Sequence, residues 1–132
     1  MIYLDANFFI FALLDKTEKG KNARRILKEI IDGRLDAVIS PLVLDEVMWV
    51  LVKNKKDHLL RIAVEDIYAM PNLKVKEVSP DIPLIALDFM EKFRLKPRDA
   101  FHVAMMKRLG VKEIVTDDKD FDVVEWVKRI AL

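Results

Sequence analysis

Ile2-Tyr3-Leu4-Asp5-Ala6-Asn7 opens the chain with three consecutive apolar residues, an acid, and two residues that suit the start of a helix. Three apolar residues in a row fit a strand buried on both faces, and such strands belong to parallel sheets covered by helices on each side. The spacing therefore predicts a central first strand whose carboxyl end is Asp5. In open α/β sheets that end faces the ligand crevice.

Outward from this stretch the same alternation repeats. Ala37-Val38-Ile39 reads as a second strand closed by Ser40-Pro41, and Ile114-Val115-Thr116 as a fourth. Leu73 to Val78 alternates apolar and charged residues, the pattern of a half-exposed edge strand, and Val123 to Ile130 suggests a last edge strand. Between them lie helical stripes. Ala23, Ile26, Leu27, Ile30 and Ile31 form one, stopped by Gly33. Ser40 and Pro41 form an N-cap and first-turn pair for a helix to about Val52. Asp57 caps a helix ended by Pro71-Asn72, Ser79-Pro80 opens another, and Pro97 opens one that Gly110 stops. Strands separated by helices predict right-handed crossovers and a three-layer α/β architecture, with a mostly parallel sheet of four to five strands flanked by helices. No repeat or linker interrupts residues 1–132, which read as one domain.

Composition narrows the function. The 132 residues are 52% hydrophobic and 34% charged, which predicts a folded core under a charged surface rather than disorder. With no cysteine, disulfides, thiolate metal sites and thiol nucleophiles are excluded, and the chain suits a reducing cytoplasm. The N-terminus has neither the basic segment nor the apolar segment of a signal peptide, and no apolar run approaches the roughly 20 residues of a membrane span. A net charge of +1 is too low for a protein that coats nucleic acid, so any nucleic-acid contact must be a local patch.

Chemistry-bearing residues fall at strand ends and in the helices that follow. Each has an ordinary structural reading as well. Asp5 can cap the next helix, and Asn7 beside it can form a turn or offer an oxygen ligand. Asp45 and Glu46 are the only charges from Pro41 to Val52, and an acid among Val43, Val47, Trp49 and Val50 needs a partner if buried. Periodicity does not decide which of the two points inward. Asp99 lies in a first helical turn, where acids favour the helix dipole. His102, one turn on, could be a ligand or a phosphate contact, but a lone histidine on an apolar helix face reads first as a packed core residue. Thr116-Asp117-Asp118-Lys119-Asp120-Phe121 is an acid-rich turn on the edge that carries Asp5.

The combination weighs more than its parts. Several carboxylates are expected in one crevice with no evident Lys or Arg among them. Two like charges about 4 Å apart repel by roughly 4 kcal/mol at an effective dielectric near 20, so protons or cations must neutralise the cluster. Oxygen ligands without cysteine select a hard cation, Mg²⁺ or Mn²⁺. Such an ion activates water and stabilises a phosphoryl centre, which is phosphodiester hydrolysis chemistry.

Four segments in order, Ile2 to Asn7, Ser40 to Val47, Arg98 to Ala104 and Thr116 to Phe121, resemble the signature segments of PIN domains, most closely the small VapC-like toxin ribonucleases of toxin–antitoxin pairs. The resemblance spans nearly the whole chain. It implies a Rossmann-like, PIN-like fold and a metal-dependent endoribonuclease. It implies Asp5, Glu46, Asp99 and Asp118 as the catalytic, metal-holding acids, and so favours Glu46 over Asp45. Asp117 and Asp120 compete with Asp118 for the fourth place. Asn7 and Thr116 match the supporting polar positions. The resemblance further implies an RNA substrate, a homodimer and a partner antitoxin.

Contact with the RNA backbone is expected from basic groups near the crevice, with Arg24, Arg25, Lys96 and Arg98 as the candidates. Two other readings compete. A non-catalytic module would bind RNA or a partner on the same fold. A Mg²⁺-dependent phosphatase or receiver domain would need a second acid beside Asp5, where Ala6-Asn7 stands.

Overall fold

In the computed structural model, which describes residues 1–132, the apolar runs pair into one five-stranded sheet. The strands are β1 (Ile2–Leu4), β2 (Ala37–Ile39), β3 (Leu73–Val75), β4 (Glu113–Val115) and β5 (Lys128–Ile130), in spatial order β3-β2-β1-β4-β5. All four pairings are parallel. Every residue of β1 and β2 is buried, so both faces need cover, and helical crossovers between parallel strands supply it. Six helices do so: α1 (Ala6–Leu14), α2 (Glu18–Ile31), α3 (Pro41–Lys53), α4 (Leu60–Ala69), α5 (Ile82–Phe93) and α6 (Pro97–Leu109). None is long and apolar enough to cross a membrane.

The strand order places the crevice. The chain steps from β1 to β2 to β3 in one direction, then returns to lay β4 on the other side of β1. The reversal between β1 and β4 is the topological switch point, where loops diverge and leave room for a ligand. Pairing continues past the strands there. Asp5 N–H donates to Val115 O at 3.1 Å, and Thr116 N–H to Ile130 O at 3.2 Å. The residues that carry oxygen ligands are thus still held by the sheet as the chain turns away.

Several boundaries differ from the sequence expectation. β3 stops at Val75 rather than Val78 because its partner β2 ends at Ile39, whose carbonyl takes the last ladder bond from Lys76 N–H at 2.8 Å. The final strand is Lys128–Ile130 alone. Lys119–Val123 forms a 3₁₀ turn instead, burying Phe121, and Trp126 packs against Phe89 at a centroid distance of 6.0 Å. The alternation of Val124 and Trp126 therefore reflects a turn folded onto α5. Asp57 begins a 3₁₀ turn, and α4 starts only at Leu60. The helix expected from Ser79-Pro80 starts at Ile82 with Asp81 at its N-cap, since Ser79 Oγ and Arg108 both engage the Asp81 carboxylate.

The α1–α2 junction admits no side chain at Gly20. The Asp15 carboxylate accepts from Gly20 N–H at 2.8 Å and from Thr17 N–H at 3.1 Å, and the Thr17 hydroxyl holds it below the usual carboxylate range. A Cβ on Gly20 would lie 2.0 Å from the Asp15 carbonyl oxygen, which is backbone and cannot rotate away. Gly20→Ala should therefore destabilise the protein by about 1–3 kcal/mol, the usual cost of overpacking. Thermal unfolding should show a melting temperature lower by roughly 3 °C or more. An unchanged melting temperature would mean the two helices separate freely.

Candidate active site

The site is built outward from the Thr116 hydroxyl, which is buried at the end of β4. It donates to Asp5 Oδ2 at 2.7 Å and accepts from Asn7 Nδ2 at 3.0 Å and from Asp118 N–H at 3.1 Å. A hydroxyl has one proton to give and two lone pairs, so this one is fully used. The Asn7 side-chain oxygen accepts from Asp117 N–H at 3.3 Å, which ties α1 to the loop after β4 a second time. Asp5 caps α1 through Oδ1, which accepts from Ala6 N–H at 2.8 Å, while Oδ2 faces Thr116. The capping and site readings of Asp5 are both met by one carboxylate.

Two groups of potential ligands meet at this edge. Oxygens of Asp99, Asp118 and Asp120 lie within 4.8 Å of one another, as do ligand atoms of Asp5, Glu46 and His102. Asp99 couples the groups electrostatically. Its carboxyl is pushed up to about 6, first by burial and then by the charges of Asp118 and Asp5. Asp99 is also a first-turn acid of α6, and the helix dipole there stabilises a carboxylate by about 0.3–1 kcal/mol. The upward shift means burial and like charge outweigh that help.

The loop after β4 sorts its acids by direction. Asp118 turns in and caps the 3₁₀ turn, accepting from Asp120 N–H at 2.9 Å. Asp117 turns towards α2, where its carboxylate pairs with Lys19. Glu46 is half-buried beside His102, whereas Asp45 is exposed and lines a neighbouring cleft. This cleft, of 420 Å³, is walled by Leu42, Asp45, Lys96, Pro97, Arg98 and Phe101.

The expectation of a crevice free of cations needs correction. The Arg98 guanidinium reaches within 4.0 Å of Glu46 at the rim. Arg24 and Arg25 are not brought to the site. Arg24 donates to the carbonyls of Ala12 and Asp15, at 3.2 and 2.8 Å, closing the open end of α1. Arg25 pairs with Glu29 and lines a different cleft with Ile2, Glu113 and Ile130.

Behind Glu46 runs a buried polar chain that sequence reasoning passed over. His102 Nε2 contacts Glu46 Oε1, His102 Nδ1 lies 2.8 Å from the Tyr3 hydroxyl, and that hydroxyl lies 3.1 Å from Ser40 Oγ. Tyr3, Ser40 and His102 are each fully buried. Burial pushes the Tyr3 phenol far above its ordinary value, so it stays neutral. The available signal was the i, i+3 spacing of Asp99 and His102, which puts them on one face of α6.

The donor set fits a hard divalent cation. Asp5, Glu46, Asp99, Asp118 and Asp120 offer carboxylate oxygens, no cysteine is present, and the ring nitrogens of His102 are both engaged by neighbours. Asp99 is raised first by burial and then by the neighbouring charges of Asp118 and Asp5, which the protein's own groups do not fully offset.

Comparison with known proteins bears on the fold and the family. Ribonuclease VapC2 of Methanocaldococcus jannaschii is 21% identical over 143 residues, covering 99% of this chain and 93% of its own. The crystal structure of VapC20 of Mycobacterium tuberculosis, a Sarcin-Ricin loop cleaving toxin, matches with a TM-score of 0.80 at 18% identity, over 96% of this chain and 97% of its own. VapBC2 from Rickettsia felis, solved bound to a DNA fragment from its promoter, matches at TM-score 0.77 and 15% identity, over 100% and 99%. At these identities the two structures speak for the fold. The PIN domain model matches residues 2–127, a span that contains β1, β4 and every acid at the switch point, and the chain belongs to the PIN domain family.

Proposed function

We propose that this chain is a metal-dependent endoribonuclease that hydrolyses RNA phosphodiester bonds, acting as the toxin of a toxin–antitoxin pair. The observation that carries the reading is the uncompensated acid cluster at the β1–β4 switch point, with Asp99 pushed up to about 6. Asp5, Glu46, Asp99 and Asp118 would hold Mg²⁺ or Mn²⁺, with Asp120 beside them. When bound, such an ion lowers the proton affinity of water and offsets the charge of a phosphoryl transition state. The chain's own residues provide the rest. Thr116 and Asn7 hold Asp5 and the Asp118 loop in register, so the ligands are in place before the ion arrives.

RNA would approach along the cleft beside Glu46. Lys96 and Arg98 there can meet phosphates, and the Phe101 ring offers an apolar face to a base. Arg24 is committed to backbone carbonyls and has no part in this path. The partner reading rests on VapC relatives and on the VapBC assembly above. A homodimer is supported by Met48, Trp49 and Val52, exposed together on α3. The cytoplasm is the compartment where such a toxin would meet RNA and antitoxin.

Asp5→Asn and Asp99→Asn should each lower Mn²⁺-dependent cleavage of an RNA panel by on the order of 100-fold or more, beyond the 10–100-fold typical of outer partners of a metal site. The wild-type products should carry 5′-phosphate and 3′-hydroxyl ends, because water is the attacking group. Unaltered cleavage in both variants would remove the assigned acids, and cyclic phosphate ends would replace water by the RNA's own 2′-hydroxyl. A panel left intact by the wild type with both ions would favour the binding-module reading.

Asp99 makes a separate prediction about stability. Its folded value of about 6 lies above the ordinary 3.8, so between these pH values the folded state holds the proton more often than the unfolded one. Stability from this group is therefore present at low pH and lost as pH rises through about 6. In EDTA, Asp99→Asn should raise the melting temperature at pH 7, and the gain should fade as pH drops to 4. A gain that is independent of pH would rule out relief of this charge as its cause.

Neutralising Lys96 and Arg98 together should flatten the salt dependence of RNA binding, with the slope of log affinity against log salt falling by roughly 0.7 per lost phosphate contact. Arg24→Ala should leave the slope unchanged and lower stability instead. Equal slopes in wild type and the Lys96/Arg98 double variant would move the RNA path elsewhere.

A further inference from the structure

A polar chain of Ser40, Tyr3 and His102 ends on Glu46 beside the acid cluster, and none of these three residues has a part in the mechanism above. We propose that Tyr3 and His102 are positioning residues that hold the Glu46 carboxylate in its metal-binding orientation, through a hydrogen-bond chain anchored in β1. The inference rests on the metal-dependent reading of the site and assigns it two further residues.

Glu46 needs such a device. Its side chain projects from α3 with three rotatable bonds, and freezing a glutamate costs up to about 2 kcal/mol of rotamer freedom. Arg98 contributes little to that, since it stands 4.0 Å away and is itself exposed. The partner that fixes Glu46 is His102 Nε2. An ionised carboxylate only accepts hydrogen bonds, so Nε2 carries the proton between them. A protonated nitrogen has no lone pair for a cation, which makes His102 an orienting group and leaves the ligand role to Glu46.

His102 is in turn held from its other edge. Nδ1 lies 2.8 Å from the Tyr3 hydroxyl, so the ring cannot rotate without losing both contacts. Tyr3 cannot shift either, because its backbone is paired with Val38 on one side and Ile114 on the other. Ser40 completes the chain. A serine at an N-cap ordinarily bonds its own helix. Ser40 makes no such bond, and its hydroxyl lies 3.1 Å from that of Tyr3. The helix that carries Glu46 thus gives up a cap, and the hydroxyl goes to the chain that orients Glu46.

A merely structural network would affect stability and leave metal affinity alone, which defines the test. Calorimetric titration with Mn²⁺ is run on wild type, Tyr3→Phe, His102→Leu, His102→Gln, Glu46→Gln and the Tyr3→Phe/Glu46→Gln double variant. Circular dichroism and melting in EDTA select the variants that fold. His102→Leu should weaken Mn²⁺ binding by about 10–100-fold, and Tyr3→Phe by about tenfold. His102→Gln keeps an N–H donor near the Nε2 position and should recover most of the loss. In the Glu46→Gln background, Tyr3→Phe should have no further effect, because the group it orients is gone. If His102→Leu fails to fold, the Tyr3→Phe cycle decides alone. Wild-type Mn²⁺ affinity in a folded Tyr3→Phe, or an equal penalty with and without Glu46, would overturn the proposal and leave the metal reading standing. A wild type that binds no Mn²⁺ would overturn both.

Discussion

Mutual repulsion among the acids at the β1–β4 switch point is the constraint to which the surrounding structure answers. Two such charges about 4 Å apart cost roughly 4 kcal/mol at an effective dielectric near 20, a large share of the 5–15 kcal/mol that stabilises a typical domain. The fold nonetheless keeps them together, and backbone bonds do most of that work. Asp5 is still in the ladder through its N–H to Val115, and Thr116 through its N–H to Ile130. The Thr116 hydroxyl then joins the two loops across the crevice. The repulsion cannot be relieved by swinging a loop away without breaking the centre of the sheet.

The sequence made the frame legible because each part of it is written locally. β1 and β2 are unbroken apolar runs, α6 has Pro97 in its first turn and Gly110 at a left-handed C-cap, and Gly33 follows α2 with a φ of 82°. Placing acids at strand ends in such a sheet puts them in one crevice with no knowledge of contacts. What stayed hidden depends on direction. Asp117 turns to pair with Lys19, nearly a hundred residues earlier, while Asp118 turns inward, and neither direction is written in the local sequence. Arg24 and Arg98 look alike in the sequence. One closes a helix end by reaching two carbonyls, and the other meets Glu46 at the rim. His102 was legible as buried but not as partnered, because Tyr3 and Glu46 lie on other elements.

The edge strands failed for a related reason. Period-2 patterning at Leu73–Val78 and Val123–Ile130 is real, but a strand lasts only as long as its neighbour does. β2 offers three residues to β3, and β4 offers three to β5. Beyond that the chain has no ladder partner, and the apolar residues find other burial. Val124 and Phe121 fold into the core, and Trp126 packs on Phe89. Alternation reports which side chains want burial, and the partner's length decides how much of it becomes a strand.

Helix ends supply part of the missing positive charge, and their magnitude shows why they do not suffice. Asp5 is the N-cap of α1, Glu46 lies in the second turn of α3, which starts at Pro41, and α6 carries Asp99 in its first turn. Each helix N-terminus acts as roughly half a positive charge, felt mainly within the first turn, so the three together offer at most about +1.5. Arg98 adds a partial contribution from an exposed position. Against these stand the carboxylates of Asp5, Glu46, Asp99, Asp118 and Asp120. The excess is negative by more than a single lysine could offset, and a divalent ion would offset a larger share of it. The protein's own response is visible in Asp99, which takes up a proton near pH 6 in place of the missing charge. A proton can do this at one oxygen only. A divalent ion held by several of these carboxylates would offset more of the charge than one proton can.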